Sequence, residues 1–207
     1  PEGDGNPSAR TSHALTYDSS RGRVVLFGGY EDAGYVGDIC SDGSVAGAWG
    51  YCFLNDTWEW DGTSWQELTP LDPEGDGNPS GRRYHALTYD SSRGRVVLFG
   101  GYDGSLLNDT WEWDGTSWQE ITPLDPQDDG NPSARGGHAL TYDASRNRVV
   151  LFGGSDGSNL SDTWEWDGTS WQEITPTDPQ GDGNPVGRFF HALTYDVSHG
   201  CVVLFGG

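Results

Sequence analysis

Thr57-Trp58-Glu59-Trp60-Asp61-Gly62-Thr63-Ser64-Trp65 recurs letter for letter from Thr110 and again from Thr163. Ahead of each copy stands a run ending in Val-Val-Leu-Phe-Gly-Gly, closing at Phe27-Gly28-Gly29, Phe99-Gly100-Gly101 and Phe152-Gly153-Gly154. A fourth such run closes at Phe205-Gly206-Gly207. From Phe99 to Phe152 to Phe205 the period is 53 residues; from Phe27 to Phe99 it is 72, because 19 extra residues follow the first glycine pair. A fixed period of this length marks one supersecondary unit that cannot bury its apolar surface alone and stacks on copies of itself.

Each unit reads as four short antiparallel strands. The first is His-Ala-Leu-Thr-Tyr, beginning at His13, His85, His138 and His191, and it ends in an Asp-rich turn. The second, Val-Val-Leu-Phe, is apolar on both faces, as expected of a strand between two neighbouring sheets. In the third, Trp58 and Trp60 share one face and Glu59 takes the other. Asp61-Gly62 opens a tight hairpin, and Trp65 begins the fourth strand. No window carries helical periodicity, so the fold class is all-β.

The Phe-Gly-Gly endings, the Asn-Asp-Thr-Trp entries (Asn55 to Trp58, Asn108 to Trp111), the later Trp65, Trp118 and Trp171, and the Arg-x-x-His pairs from Arg10, Arg82, Arg135 and Arg188 together resemble the kelch family of β-propellers. Trp60, Trp113 and Trp166 depart from the family's more usual Tyr. The resemblance implies β-propeller blades of four antiparallel strands, with the His strand innermost and the Trp65-type strand outermost. It divides residues 1–207 into repeats at about 8–72, 80–125 and 133–178 and a half-repeat at 186–207, with an insertion at 30–53. That is a partial propeller of three blades and half of another. A closed ring of six or seven such blades needs roughly 320 to 370 residues. The expectation is therefore a segment of a longer propeller chain, or closure by another subunit.

Composition narrows the partners. The formal charge is -21, from 32 acidic residues against 11 basic ones, and every basic residue is Arg. Such a field disfavours nucleic acid and anionic membrane. No stretch is long and apolar enough to span a bilayer. Cys40 and Cys52, close together in the insertion, are expected to form a disulfide, which implies an oxidising compartment and a secreted or cell-surface protein. Cys201 replaces the Arg of the other repeats and reads either as a buried thiol or as one paired outside this segment. The glycosylation triplets at Asn55, Asn108 and Asn159 matter only in a host that modifies them.

The repeats also serve as an internal comparison. The Asp-rich and Asp-Gly hairpins, on one face, are nearly identical between copies. Differences gather on the opposite face. The pair between Arg and His reads Thr11-Ser12, Arg83-Tyr84, Gly136-Gly137 and Phe189-Phe190, and the loop after the glycines varies from Tyr102 onward and becomes the insertion in the first repeat. That face is the candidate recognition surface, with Arg83, Tyr84, Tyr102, Phe189, Phe190 and the insertion's Trp49 as binding residues. The acidic inter-repeat linkers offer Asp76, Asn78, Asp129, Asn131, Asp182 and Asn184 as calcium-ligand candidates, although their spacing misses the EF-hand pattern and suits ordinary turns.

Catalytic readings are weaker. The histidines hold the same place in every repeat, as structural residues do, whereas a catalytic group stands once beside a distinct partner. Tyr30, Tyr35, Tyr51 and His199 form no recognisable copper-oxidase set. The sequence therefore points to a non-catalytic scaffold presenting its variable face to a protein or glycan partner. The alternative is a propeller lectin, or part of an extracellular carbohydrate-active or oxidase enzyme whose catalytic residues lie outside the segment.

Overall fold

The computed structural model describes residues 5–40, 47, 50–178, 181 and 183–207. Among the described residues there is no α-helix; the chain folds into three four-stranded antiparallel blades and an inner strand pair of a fourth. The first blade holds β1 (Ala14–Asp18), β2 (Arg23–Phe27), β5 (Thr57–Trp60) and β6 (Trp65–Leu68). Between β2 and β5 a short hairpin of β3 (Tyr30–Asp32) and β4 (Tyr51–Phe53) roots the insertion. The second blade holds β7 (Ala86–Asp90), β8 (Arg95–Tyr102), β9 (Leu106–Trp113) and β10 (Trp118–Ile121). The third holds β11 (Ala139–Asp143), β12 (Arg148–Phe152), β13 (Thr163–Trp166) and β14 (Trp171–Ile174), and β15 (Ala192–Asp196) with β16 (Cys201–Phe205) makes the half-blade. The His strands of successive blades, β1, β7, β11 and β15, approach one another and so lie nearest the axis.

Blades are cemented by tryptophan. Phe27 of the first blade meets the Trp118 indole of the second edge-on at 5.3 Å, and Phe99 meets Trp171 at 5.2 Å. The indole N–H groups of Trp118 and Trp171 donate to Thr57 and Thr110 Oγ1 of the preceding blade, both at 3.0 Å. Each buried indole removes roughly 150–250 Å² from water, worth about 4 to 6 kcal/mol at 25 cal/mol per Å². Trp60 and Trp65, in the first of the described blades, are only half-buried, because no other described blade packs on that side. At the other open side Phe205 is 82% exposed for the same reason. The second strand packs on both faces as its sequence implies: Val96 and Leu98 toward the first blade, Val97 and Phe99 toward the third.

The glycine pair works at a seam. Gly28 and Gly29 have φ of 65° and 95°, and a Cβ on Gly28 would lie 2.9 Å from the Arg82 carbonyl oxygen of the next blade. The Gly29 N–H donates to that same carbonyl at 2.9 Å. Only a residue without a side chain reaches this approach and this φ together.

Two details differ from the sequence reading. The Asp61–Ser64 connection is a four-residue loop, closed by Asp61 Oδ1 accepting the Thr63 and Ser64 N–H groups at 2.8 and 2.9 Å. In the second blade the strands run on past the glycines to Tyr102 and Leu106, through a register shift between Phe99 and Gly101. Cys201 is exposed on β16, the strand that no further described blade covers.

Candidate functional site

An arginine clamp builds the variable face from beneath. Arg82, almost wholly buried, donates from both Nη groups to Asp109 at 2.6 and 2.8 Å, and to the Gly100 carbonyl at 3.1 Å. Asp109 in turn accepts the Trp111 indole N–H at 2.7 Å. Arg135 with Asp162 and Trp164 repeats the arrangement, as does Arg10 with Asp56 and Trp58. Each clamp ties the entry of the first strand to the entry of the third. The adjoining histidine faces away, toward the neighbouring blade. His85 Nε2 lies 3.1 Å from the Phe27 carbonyl oxygen, with the two rings edge-on at 5.5 Å. Burial, and then the charge of Arg82 or Arg135, pushes His85 and His138 from 6.5 down to about 3. These rings are neutral structural groups, as their repetition implied.

The two residues between clamp and histidine are held by main-chain atoms. Ser12, Tyr84, Gly137 and Phe190 all have positive φ, between 57° and 70°. A chain of inter-blade bonds links them: Tyr84 N–H to Ser12 O at 3.2 Å, Gly137 N–H to Tyr84 O at 2.8 Å, and Phe190 N–H to Gly137 O at 2.8 Å. Glycine suits this position, yet two of the four copies carry a bulky aromatic there. A non-glycine residue in the left-handed region costs about 1 to 2 kcal/mol, and strain of that kind concentrates at functional sites.

Five of the six expected binding residues come together. Arg83, Tyr84, Tyr102, Phe189 and Phe190 line one cleft of about 230 Å³, joined by Leu106, Gly136, Ser155 and Gly157. The Tyr84 and Phe190 rings meet at 5.0 Å across the third blade, and Phe189 packs on Phe190 at 4.9 Å. Gly137 makes this meeting geometrically feasible, since a Cβ there would stand 2.9 Å from the Phe190 ring. Trp49 and Asp182 lie outside the described residues.

Arg83 is the focus of the cleft. Its guanidinium carbon lies 4.7 Å from the Tyr84 ring centre, 4.9 Å from Tyr30 and 5.3 Å from Tyr102. Tyr51 and Phe53 complete the enclosure at 5.4 and 5.5 Å. Tyr30, Tyr51 and Phe53 belong to the insertion that the sequence places on this face as a lid or clamp, but neither they nor Leu106 were singled out as binding residues. Their signal was present: β3 and β4 occupy the place of the β8–β9 tip, so Tyr30 and Phe53 take the positions of Tyr102 and Leu106 one blade on. The Cys40–Cys52 disulfide is formed, with sulfurs 2.03 Å apart, and it anchors β4 between two rings of this enclosure. Glu31 is the third member of the only cluster of potential metal ligands among the described residues, but its two companions are these bonded cysteines.

The linkers pack along the outermost strand of the following blade. Leu71 donates its N–H to the Thr116 carbonyl at 2.9 Å, and Leu124 donates to Thr169 at 2.8 Å. Asp76 Oδ2 accepts the Glu120 N–H at 2.8 Å, and Asp129 Oδ2 accepts the Glu173 N–H at 3.0 Å. Asn78, Asn131 and Asn184 are exposed. Two of the calcium candidates thus already serve as acceptors for strand N–H groups.

Residues 1–207 match the model of the KLHDC2/KLHL20/DRC7 Kelch-repeats domain. The chain is 32% identical over 185 residues to the tRNA wybutosine-synthesizing protein 4 of Emericella nidulans, covering 81% of this chain and 15% of that one. It is 34% identical over 134 residues to dynein regulatory complex subunit 7 of Chlamydomonas reinhardtii, covering 61% of this chain and 11% of that one. Human multiple epidermal growth factor-like domains protein 8 shares 26% over 212 residues, 97% of this chain and 6% of that one. The chain therefore spans under a fifth of the length of these relatives. Among solved structures, YjhT aligns over 96% of this chain and 77% of its own at a TM-score of 0.40 and 13% identity. YCF48 bound to D1 peptide aligns over 84% and 44% at 0.41 and 16%. The repeats, their blades and this whole-length match place the chain in the kelch-repeat family.

Proposed function

We propose that this chain is a non-catalytic kelch propeller scaffold that binds a protein partner through the cleft around Arg83, Tyr84, Tyr102, Phe189 and Phe190. The observation that carries the reading is the strained pair Tyr84 and Phe190. A position suited to glycine instead projects two large rings toward each other on the face that varies between repeats. Aromatics and arginine dominate interface energetics when packed into a central, desolvated patch. The relatives include a tRNA wybutosine-synthesizing protein, a flagellar outer-arm dynein chain and a protein with multiple epidermal growth factor-like domains. That spread supports a binding module reused in unrelated proteins. The Cys40–Cys52 disulfide supports an oxidising, extracellular setting.

The test is an affinity capture with the chain as bait, followed by the Phe189→Ala/Phe190→Ala and Ser64→Ala variants, each confirmed folded. Loss of the captured partner with the first variant alone is expected. Equal loss with both, or loss with Ser64→Ala alone, would put the site on the uniform face. Capture of a glycan rather than a polypeptide on the same residues would make the module a lectin.

A further inference from the structure

Three donor side chains converge at the root of the insertion. Glu31 on β3 stands directly across from Cys52 on β4, and Cys40 arrives from the loop between the two strands. A carboxylate oxygen and the two sulfurs all lie within 4.8 Å of one another. Both cysteines are buried, Glu31 is half-buried, and Ala33 packs over the sulfurs. In the oxidised chain the disulfide occupies both sulfurs. Once it is reduced, the same residues form a set of two thiolates and one carboxylate.

Neighbouring structure keeps these donors together without the sulfur–sulfur bond. β3 and β4 pair over Tyr30 with Phe53, Glu31 with Cys52 and Asp32 with Tyr51, and the Ala33 N–H donates to the Gly50 carbonyl at 2.9 Å. The Tyr30 and Tyr51 rings meet at 5.0 Å. On the way to Cys40 the loop is folded back by the Gly34 N–H on Asp32 Oδ1 at 2.9 Å and the Tyr35 N–H on Asp38 Oδ2 at 3.1 Å. Reduction therefore frees two thiols on a backbone that still holds them beside Glu31.

Thiolates select zinc and cadmium over calcium and magnesium. Zinc sits about 2.3 Å from a cysteine sulfur and about 2.0 to 2.2 Å from a carboxylate oxygen, so donors on one tetrahedral ion stand roughly 3.5 to 3.8 Å apart. Small rotations of the cysteine side chains supply that spacing. Sites with three protein ligands leave the fourth position to water, and the -21 charge of the chain concentrates cations around it. We infer that the reduced insertion binds one zinc-class ion through Cys40, Cys52 and Glu31. A disulfide then fixes the root of the loop in an oxidising setting and a metal ion fixes it in a reducing one. The exchange balances with a dithiol reductant, which gives two electrons and two protons to the cysteines and becomes a disulfide itself. The two thiol protons leave as the ion binds. Two cysteines without a nearby histidine make a poor zinc set in the sequence; the third donor appears only through the pairing of β3 with β4.

The test uses the chain itself. Cys201, the free and exposed thiol, is first capped with iodoacetamide while the disulfide protects the other two cysteines. The product is then reduced with a trialkylphosphine, which takes an oxygen atom from water to become the phosphine oxide. Titration with cadmium chloride is followed by the thiolate-to-cadmium charge-transfer absorption. One ion per reduced chain is expected and none on the oxidised chain, and added zinc should displace the cadmium and erase the band. Glu31→Gln should weaken cadmium binding about tenfold or more, since losing even the outer partner of a ligand costs that much. The contrast between oxidised and reduced chain needs no substitution, so it stands whatever the variant does to folding. A reduced chain without the band overturns the site. Binding by Glu31→Gln within about twofold of the parent overturns it as well, because the pair would then be an ordinary dithiol.

Discussion

The Phe190 ring lies 5.0 Å from the Tyr84 ring, although the two residues belong to blades separated by a whole repeat. They meet because the intervening blade presents Gly137, whose carbonyl accepts the Phe190 N–H and whose missing side chain leaves the rings room. Both aromatics sit at positive φ, at 62° and 57°, so the contact is held against a backbone preference.

Phe190→Gly should consequently separate stability from binding. The ring is 59% exposed, so its removal sacrifices little burial while relieving about 1 to 2 kcal/mol of left-handed strain. A melting temperature equal to or above the parent's is expected, with partner binding reduced. A large fall in melting temperature would show that the ring is there for the fold.

The inter-blade indole bonds are open to a nearly isosteric test. Thr110→Val leaves the buried Trp171 N–H without its 3.0 Å acceptor. A loss of about 1 to 3 kcal/mol is expected in denaturant unfolding, and Thr110→Ser should recover much of it. Asp109→Ala, which strands the buried Arg82 and frees the Trp111 indole, should cost more, about 3 to 5 kcal/mol.

Acid sensitivity follows from His85 and His138. The unfolded chain takes up these protons near pH 6.5 and the folded one near 3, so the unfolded state binds more protons between those values. Their contribution to stability is complete above pH 6.5 and drains away as the pH falls toward 3. The denaturation midpoint should decline between pH 6.5 and 4.5, where most carboxylates are still ionised, and the slope should be shallower in His85→Asn. A flat midpoint across that window would mean the rings accept protons without unfolding.

The linker carboxylates are separated from calcium by a chelator experiment. Asp129 already accepts the Glu173 N–H at 3.0 Å, so Asp129→Ala should lower the melting temperature and excess chelator should not. A fall with chelator, restored by added calcium, would make these loops metal sites.

Reduction of Cys40–Cys52 should leave the blades intact and disturb the Arg83 enclosure, because Cys52 lies between Tyr51 and Phe53 on β4. The expected readout is weakened partner binding at an unchanged far-ultraviolet spectrum.

The blades were legible in the sequence because period, alternation and turn chemistry all repeat, so each copy corroborates the others. The variable face was legible for the converse reason: where copies disagree, the fold is not demanding a particular residue. What stayed hidden was convergence. Nothing in Thr11-Ser12 or Phe189-Phe190 taken alone announces a left-handed backbone; only Gly137, aligned with Ser12, Tyr84 and Phe190, hints at it. The arginine clamps were visible as two separate motifs, Arg-x-x-His and Asn-Asp-Thr-Trp, without the bond between Arg82 and Asp109. Three of Arg83's five rings, Tyr30, Tyr51 and Phe53, come from a neighbouring blade, and such inter-blade contacts depend on the angle between sheets, which no local pattern encodes.

The chain of bonds from Ser12 through Tyr84 and Gly137 to Phe190 is written entirely in peptide groups. Every amino acid but proline can supply both halves of such a bond, so the rim of the propeller places few chemical demands on the side chains it displays. Positions 11–12, 83–84, 136–137 and 189–190 are therefore natural diversification sites. A library confined to them, with Asn and Gly favoured at the second of each pair, would yield new binders from the same scaffold, much as antibody loops vary over an invariant framework.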